Sequence, residues 1–128
     1  MADQIRRPIR VLVGNLEPVV RLGMVRSLEE NGCEVVGHHA GGEVHDIVRQ
    51  ASNLLPDAVV LDLDDGEVQE LGRQVQTASP GSKLILWARD EHVMEVVDPG
   101  ASDPRLIVDA VPEELHRELS SWQTPMEE

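Results

Sequence analysis

The side chains best equipped for chemistry in this sequence are carboxylates. Asp62 is followed by Asp64, Asp65 and Glu67, and an earlier stretch reads Asn15-Leu16-Glu17. Carboxylate and amide oxygens of this kind suit a hard divalent cation, which takes an all-oxygen shell. Neighbours in extended chain point to opposite sides, so Glu17 replaces an acid at position 16 only if the loop re-aims it. The run from Asp62 to Glu67 is not a calcium loop, because Gly66 comes one position early and no acid stands at the closing position. A solvated acidic loop is the simpler reading. His38, His39 and His45 are close in sequence, yet the first two point apart and the third belongs to the next helical stretch. They read as surface histidines and not as a metal site. Cys33 is the single cysteine, which excludes an intrachain disulfide and a cysteine-based zinc cluster. With no basic neighbour in sequence, it reads as a packed thiol. No nucleophile elbow, phosphate-binding loop or dinucleotide fingerprint occurs, so hydrolase, nucleotide-triphosphatase and dehydrogenase chemistry has no support, and no catalytic residue is expected.

The elements that must hold these residues are legible as apolar runs. Ile9–Gly14, Ala58–Leu63, Lys83–Trp87 and Arg105–Val108 stand out, with a shorter run at Glu34–Gly37. Continuous apolar runs point to strands covered on both faces, as in a parallel sheet. Helical patterns lie between them. Pro18–Asn31 opens on a proline, stops at Gly32 and repeats Val20, Met24 and Leu28. Glu43–Asn53 carries Val44, Ile47, Val48 and Ala51, and a third stripe is Val68, Leu71 and Val75. Glu91–Asp98, with Val93, Val96 and Val97, reads as a short fourth helix, and Pro112–Trp122, with Leu115 and Leu119, as a fifth. Strand then helix, five times over, predicts a doubly wound α/β sheet with helices on both faces. Chemistry in such a sheet belongs at the carboxyl ends of the strands. Those ends are Asn15-Leu16-Glu17, Asp62, Trp87-Ala88-Arg89 and Val108-Asp109.

Composition narrows the function classes. The chain has 128 residues, one domain's worth, with a core expected over 9–122, an extension over 1–8 and an acidic tail over 123–128. Eleven Lys and Arg against 24 Asp and Glu leave a formal charge of −13. Such a surface repels phosphate backbones and anionic membranes, so neither direct nucleic-acid binding nor membrane docking is expected. Trp87 and Trp122 are the only aromatic residues of the Phe, Trp and Tyr kind, so the core is aliphatic. No signal peptide or membrane-spanning run is present, which predicts a cytoplasmic protein.

Several motifs now align in order. Val-Leu-Val separated by four residues from Pro18, then Pro56-Asp57-Ala-Val-Val-Leu-Asp62-Leu, Gly100-Ala101 and Pro112-Glu-Glu-Leu115 resemble the receiver domain of NarL-type two-component response regulators. The resemblance spans roughly residues 9 to 121. It implies a flavodoxin-like (CheY-like) five-stranded parallel sheet in the order 2-1-3-4-5. It also implies an acidic pair and a phospho-accepting Asp around Mg²⁺, with a Thr or Ser and a Lys to neutralise the phosphoryl oxygens. Spreading that charge is what makes the transfer feasible.

Carried over by position, the resemblance retains Asp62 as the acceptor and little else. The acidic pair falls on Asn15 and Leu16, and the Thr/Ser position on Trp87, whose polar atom is a ring N–H. The Lys position falls on Val108 or Ile107. The single lysine, Lys83, stands at the wrong end of its strand. Arg105 occupies the place of the aromatic switch, and the loop after Asp62 is about two residues shorter than the pattern.

The pattern therefore reads as an atypical, degenerate receiver, or pseudo-receiver. It is expected to act in signal transduction and transcription regulation through protein–protein contact or homodimerisation, without depending on aspartyl phosphorylation. Candidate contact faces are those of the C-terminal helices, with Leu115, Leu119 and Trp122 as anchors. Trp87 is expected to plug the former phosphate pocket. No cofactor is required on this reading. Two alternatives stand beside it: a phospho-accepting receiver using Asp62 with Mg²⁺ held by Glu17 and Asn15, and a small-ligand sensor in which Arg89 and Arg105 recognise an anion.

Overall fold

The structure is a computed structural model that describes residues 8–14, 16, 18–38, 44–63, 68–88, 93–100 and 103–107. In chain order its elements are β1 (Arg10–Val13), α1 (Pro18–Glu30), β2 (Glu34–His38), α2 (Val44–Leu54), β3 (Ala58–Asp62), α3 (Val68–Ala78), β4 (Lys83–Ala88), β5 (Val93–Val97) and β6 (Arg105–Ile107). They build one mixed six-stranded sheet in the order β2-β1-β3-β4-β5-β6.

The first four strands follow the expected pattern. β1 pairs in parallel with β2 and β3, and β3 pairs in parallel with β4. Alternate side chains feed two apolar layers. Val11, Val13, Ala58, Val60, Ile85 and Trp87 join Met24 and Leu28 of α1 on one side. Leu12, Val59, Leu61, Leu84 and Leu86 join Ile47 and Ala51 of α2 and Val68, Leu71 and Val75 of α3 on the other. Strands buried on both faces must be apolar at every position, which is why these runs do not alternate.

Local chemistry sets the helix ends. Pro18 opens α1, where its missing N–H would be unpaired in any case. At the other end Gly32 has φ +89°. The Gly32 N–H donates to the Glu29 carbonyl and the Cys33 N–H to the Leu28 carbonyl, both within 3.1 Å. This is a Schellman stop, and Cys33 packs near Leu28 as its apolar clasp. Below the sheet, Asp57 ties three strands together. Its carboxylate accepts from Arg10 N–H and its N–H donates to the Arg10 carbonyl. Its carbonyl accepts from the Lys83 N–H at 2.9 Å.

The second half of the sheet departs from the expectation. Val93–Val97 is a strand, not the fourth helix expected over Glu91–Asp98, and it runs antiparallel to β4 with Trp87 opposite Met94. The run expected as a fifth parallel strand is β6, which pairs antiparallel with β5 and not with β4. The order 2-1-3-4-5 therefore gives way to six strands, five running one way with β5 alone reversed between β4 and β6. The physical reason is chain length. Ala88 and Val93 are separated by residues 89–92, enough for a hairpin, whereas a parallel crossover needs a dozen residues or more. The composition agrees: three of the five residues of β5 are valine, and burial alternates along it, Met94 and Val96 inside. A valine spacing of three and four is equally compatible with a period of two in so short a run. Three helices are present among the described residues. The fifth helix expected over Pro112–Trp122 lies outside them.

Candidate functional site

The carboxyl ends of β1, β3 and β4 converge at one rim, where Asp62 is the last residue of β3 and is half-buried. Trp87 is its register partner on β4. Register partners share a face, so the indole and the carboxylate stand on the α1 side of the sheet, one strand spacing apart. The Leu63 N–H donates to the Trp87 carbonyl at 3.1 Å, which extends the β3–β4 tie past Asp62. Trp87 is 7% exposed and belongs to the same apolar cluster as Val13 and Leu16. Its ring nitrogen is buried with no hydrogen-bond partner among the described residues.

Among the described residues at this rim, Val13, Leu16 and Trp87 offer no side-chain oxygen to a divalent cation at Asp62. Among the described residues no group of three or more His, Cys, Asp and Glu could hold a metal ion. Asn15 and Glu17 lie outside the described residues, as do Asp64, Asp65, Glu67, Arg89 and Val108. So do Leu115, Leu119 and Trp122, and the side chains of His38, His39 and His45. Ile107, the other residue matched to the family's lysine, lies on β6 opposite Met94, two strands from Trp87.

Lys83 and Arg105 are engaged at the opposite end of the sheet. Lys83 begins β4 and is buried, with Nζ 3.8 Å from the Asp98 carboxylate. Arg105 donates to the same carboxylate through Nε at 2.8 Å and through a terminal nitrogen at 3.1 Å. The hydrogen bond from Arg105 holds the Asp98 carboxyl below its ordinary range, opposed by partial burial and aided by the charges of Arg105 and Lys83. Asp98 was not legible as a structural centre, since it stood at the end of an expected helix. Its signal was the turn sequence Asp98-Pro99-Gly100 between two apolar runs. Cys33 is half-buried against the α1 layer, and burial pushes its thiol above the ordinary value.

Comparison with known proteins finds one informative relative. The chain is 29% identical over 112 residues to the uncharacterised transcriptional regulatory protein YxjL of Bacillus subtilis, covering 84% of this chain and 50% of that protein. This chain thus spans about half the length of its relative. No protein-family model and no solved structure matches. The chain is thus similar to about half of a protein described as a transcriptional regulator. No helix among the described residues is long and apolar enough to cross a membrane.

Proposed function

We propose that this chain is a pseudo-receiver: a regulatory module of the NarL type that works through protein–protein contact and does not depend on phosphorylation of Asp62. One observation carries the reading. The position where a phosphoryl-binding hydroxyl would stand holds Trp87, only 7% exposed beside Asp62 and in one cluster with Leu16. A transferring phosphoryl group needs cationic and hydrogen-bonding partners around three oxygens, and an indole and a leucine supply neither in adequate number. The single lysine is engaged with Asp98 at the far end of the sheet. In this role the rim is a packed end of the domain, held in one arrangement by the indole. A part in transcription regulation is suggested by the description of the Bacillus relative, through a partner or a further domain, since the formal charge of −13 disfavours direct contact with nucleic acid.

The test is intact mass after incubation with acetyl phosphate and Mg²⁺, with Asp62→Asn in parallel. The expected result is an unmodified, folded protein in both samples. An adduct on the wild type that Asp62→Asn removes would sink the reading and make Asn15 and Glu17 the replacement metal shell.

A further inference from the structure

The turn-back of β5 leaves a face of the sheet that the two-layered half does not have. Met94 and Val96 point into the α1 layer and are fully buried. By alternation Val93, Glu95 and Val97 point to the opposite side, and Leu106, the register partner of Glu95, shares that side. There α2 and α3 close the layer over the parallel strands, with α3 against β3 and β4. The helix expected after β4 would have continued this layer, but its residues form β5 itself. Val93, Glu95 and Val97 are accordingly only half-buried, and Leu106 is 62% exposed.

We infer that this β5–β6 face receives a basic amphipathic helix from a partner protein, laid alongside α3. This deepens the reading of the chain as an interaction module and rests on it. The dimensions suit a helix: two strands span roughly 10 Å across the sheet, about the diameter of one helix with its side chains. The chemistry sets the sign. Among the described residues of this face, an apolar strip of Val93, Val97 and Leu106 flanks one carboxylate, Glu95, on a chain of formal charge −13. An apolar stripe flanked by Lys or Arg complements that pattern, with burial supplying affinity and charge supplying selectivity. A second copy of this chain does not, because it would bring another Glu95 and a second net charge of −13 against their like.

The experiment uses the full chain and two labelled synthetic peptides of about 14 residues, with leucines at helical spacing and either lysines or glutamates flanking them. Fluorescence anisotropy is expected to show binding of the lysine peptide and not of the glutamate peptide. Leu106→Gln should weaken it about tenfold, the scale of one lost apolar anchor. Glu95→Lys should weaken the lysine peptide and strengthen the glutamate one. Val19→Gln, which removes an exposed apolar residue from α1 in the other layer, should bind as wild type does. Circular dichroism checks that each variant is folded. The inference is overturned by absence of binding, by face variants that bind normally, or by equal weakening in Val19→Gln. A wild-type dimer that Leu106→Gln dissociates overturns it in favour of a second copy. Asp62 does not enter these measurements, so their failure is separate from a positive acetyl phosphate result.

Discussion

Strands β1 to β4 lie parallel between two apolar layers, whereas β5 runs back antiparallel to β4 and β6 antiparallel to β5, with Met94 and Val96 of β5 buried on the α1 side and Val93, Glu95, Val97 and Leu106 less covered on the other. Both halves share backbone pairing and the same α1-side layer, since Met94 and Val96 continue the row of Ile85 and Trp87. They differ in the length of chain between successive strands. Where a helical stretch separates two strands, as α3 separates β3 from β4, the chain crosses over and covers the sheet. Where residues 89–92 are all that intervenes, it can only turn back. The covered half is suited to rigidity and the uncovered face to contact with something else.

Substitutions that separate the halves can break this comparison. The largest effect is expected from Trp87→Thr, which supplies the hydroxyl that the receiver pattern carries at this position but empties the packed end of the α1 layer. Loss of so large a buried side chain costs about 3–5 kcal/mol. Leu106→Ala, in the open half, should stay within roughly 0.5 kcal/mol of wild type, as exposed positions do. Urea unfolding of both variants checks this pair. A neutral Trp87→Thr would mean that the indole is not part of the packing.

A middle-sized effect is expected at Asp98, where the halves meet. Asp98→Asn removes the charge that faces Lys83 and Arg105. Breaking a fully buried pair costs roughly 3–5 kcal/mol, but Asp98 and Arg105 are reached by water, so about 1–2 kcal/mol is expected. The pH dependence has a definite sign. A carboxyl lowered in the folded state adds stability above its unfolded pKa, near about 3.9, and loses it as pH falls through the lower folded value. Melting temperatures measured from about pH 5 downward should therefore fall more steeply for wild type than for Asp98→Asn. Equal slopes would show that the ion pairs contribute no linked stability.

The smallest effect contrasts two helix ends within the covered half. α1 stops on Gly32, but α2 is followed by Leu55 at φ 47°, a left-handed conformation unfavourable for a side chain. Leu55 is 59% exposed, so its side chain gains little burial in return. Leu55→Gly is expected to raise stability by up to about 1 kcal/mol, less the entropy that glycine adds to the unfolded chain. Thermal unfolding reads this directly, and a lower melting temperature would mean that Leu55 packs better than its exposure implies.

Much of the candidate rim was legible because it depends on single residue types at strand ends. Asp62 closes an apolar run, and Trp87 stands out as a tryptophan in an otherwise nearly aromatic-free chain. The structure brings these two together with Leu16. It leaves Arg105 elsewhere, clasping Asp98, because the strand that carries it pairs with β5 and not with β4. The open face was illegible for the same reason. Glu95 and Leu106 meet only once the register of β5 against β6 exists, and no spacing between distant residues encodes that.

By itself the sequence determined the parallel half. Uninterrupted aliphatic runs must be buried on both faces, proline and Gly32 mark where α1 begins and ends, and amphipathic stripes dictate which sides of α1, α2 and α3 turn inward. Tertiary structure alone decided the fate of Val93–Val97. Its apolar spacing suits a helix turn or a strand about equally, and the lean of three valines toward strand is too weak a local preference to decide alone. The available edge of β4, reached across a short connection, supplied a row of backbone partners and a place in the α1 layer for Met94 and Val96. An isolated turn of helix has no such row, and its nucleation is unfavourable in water.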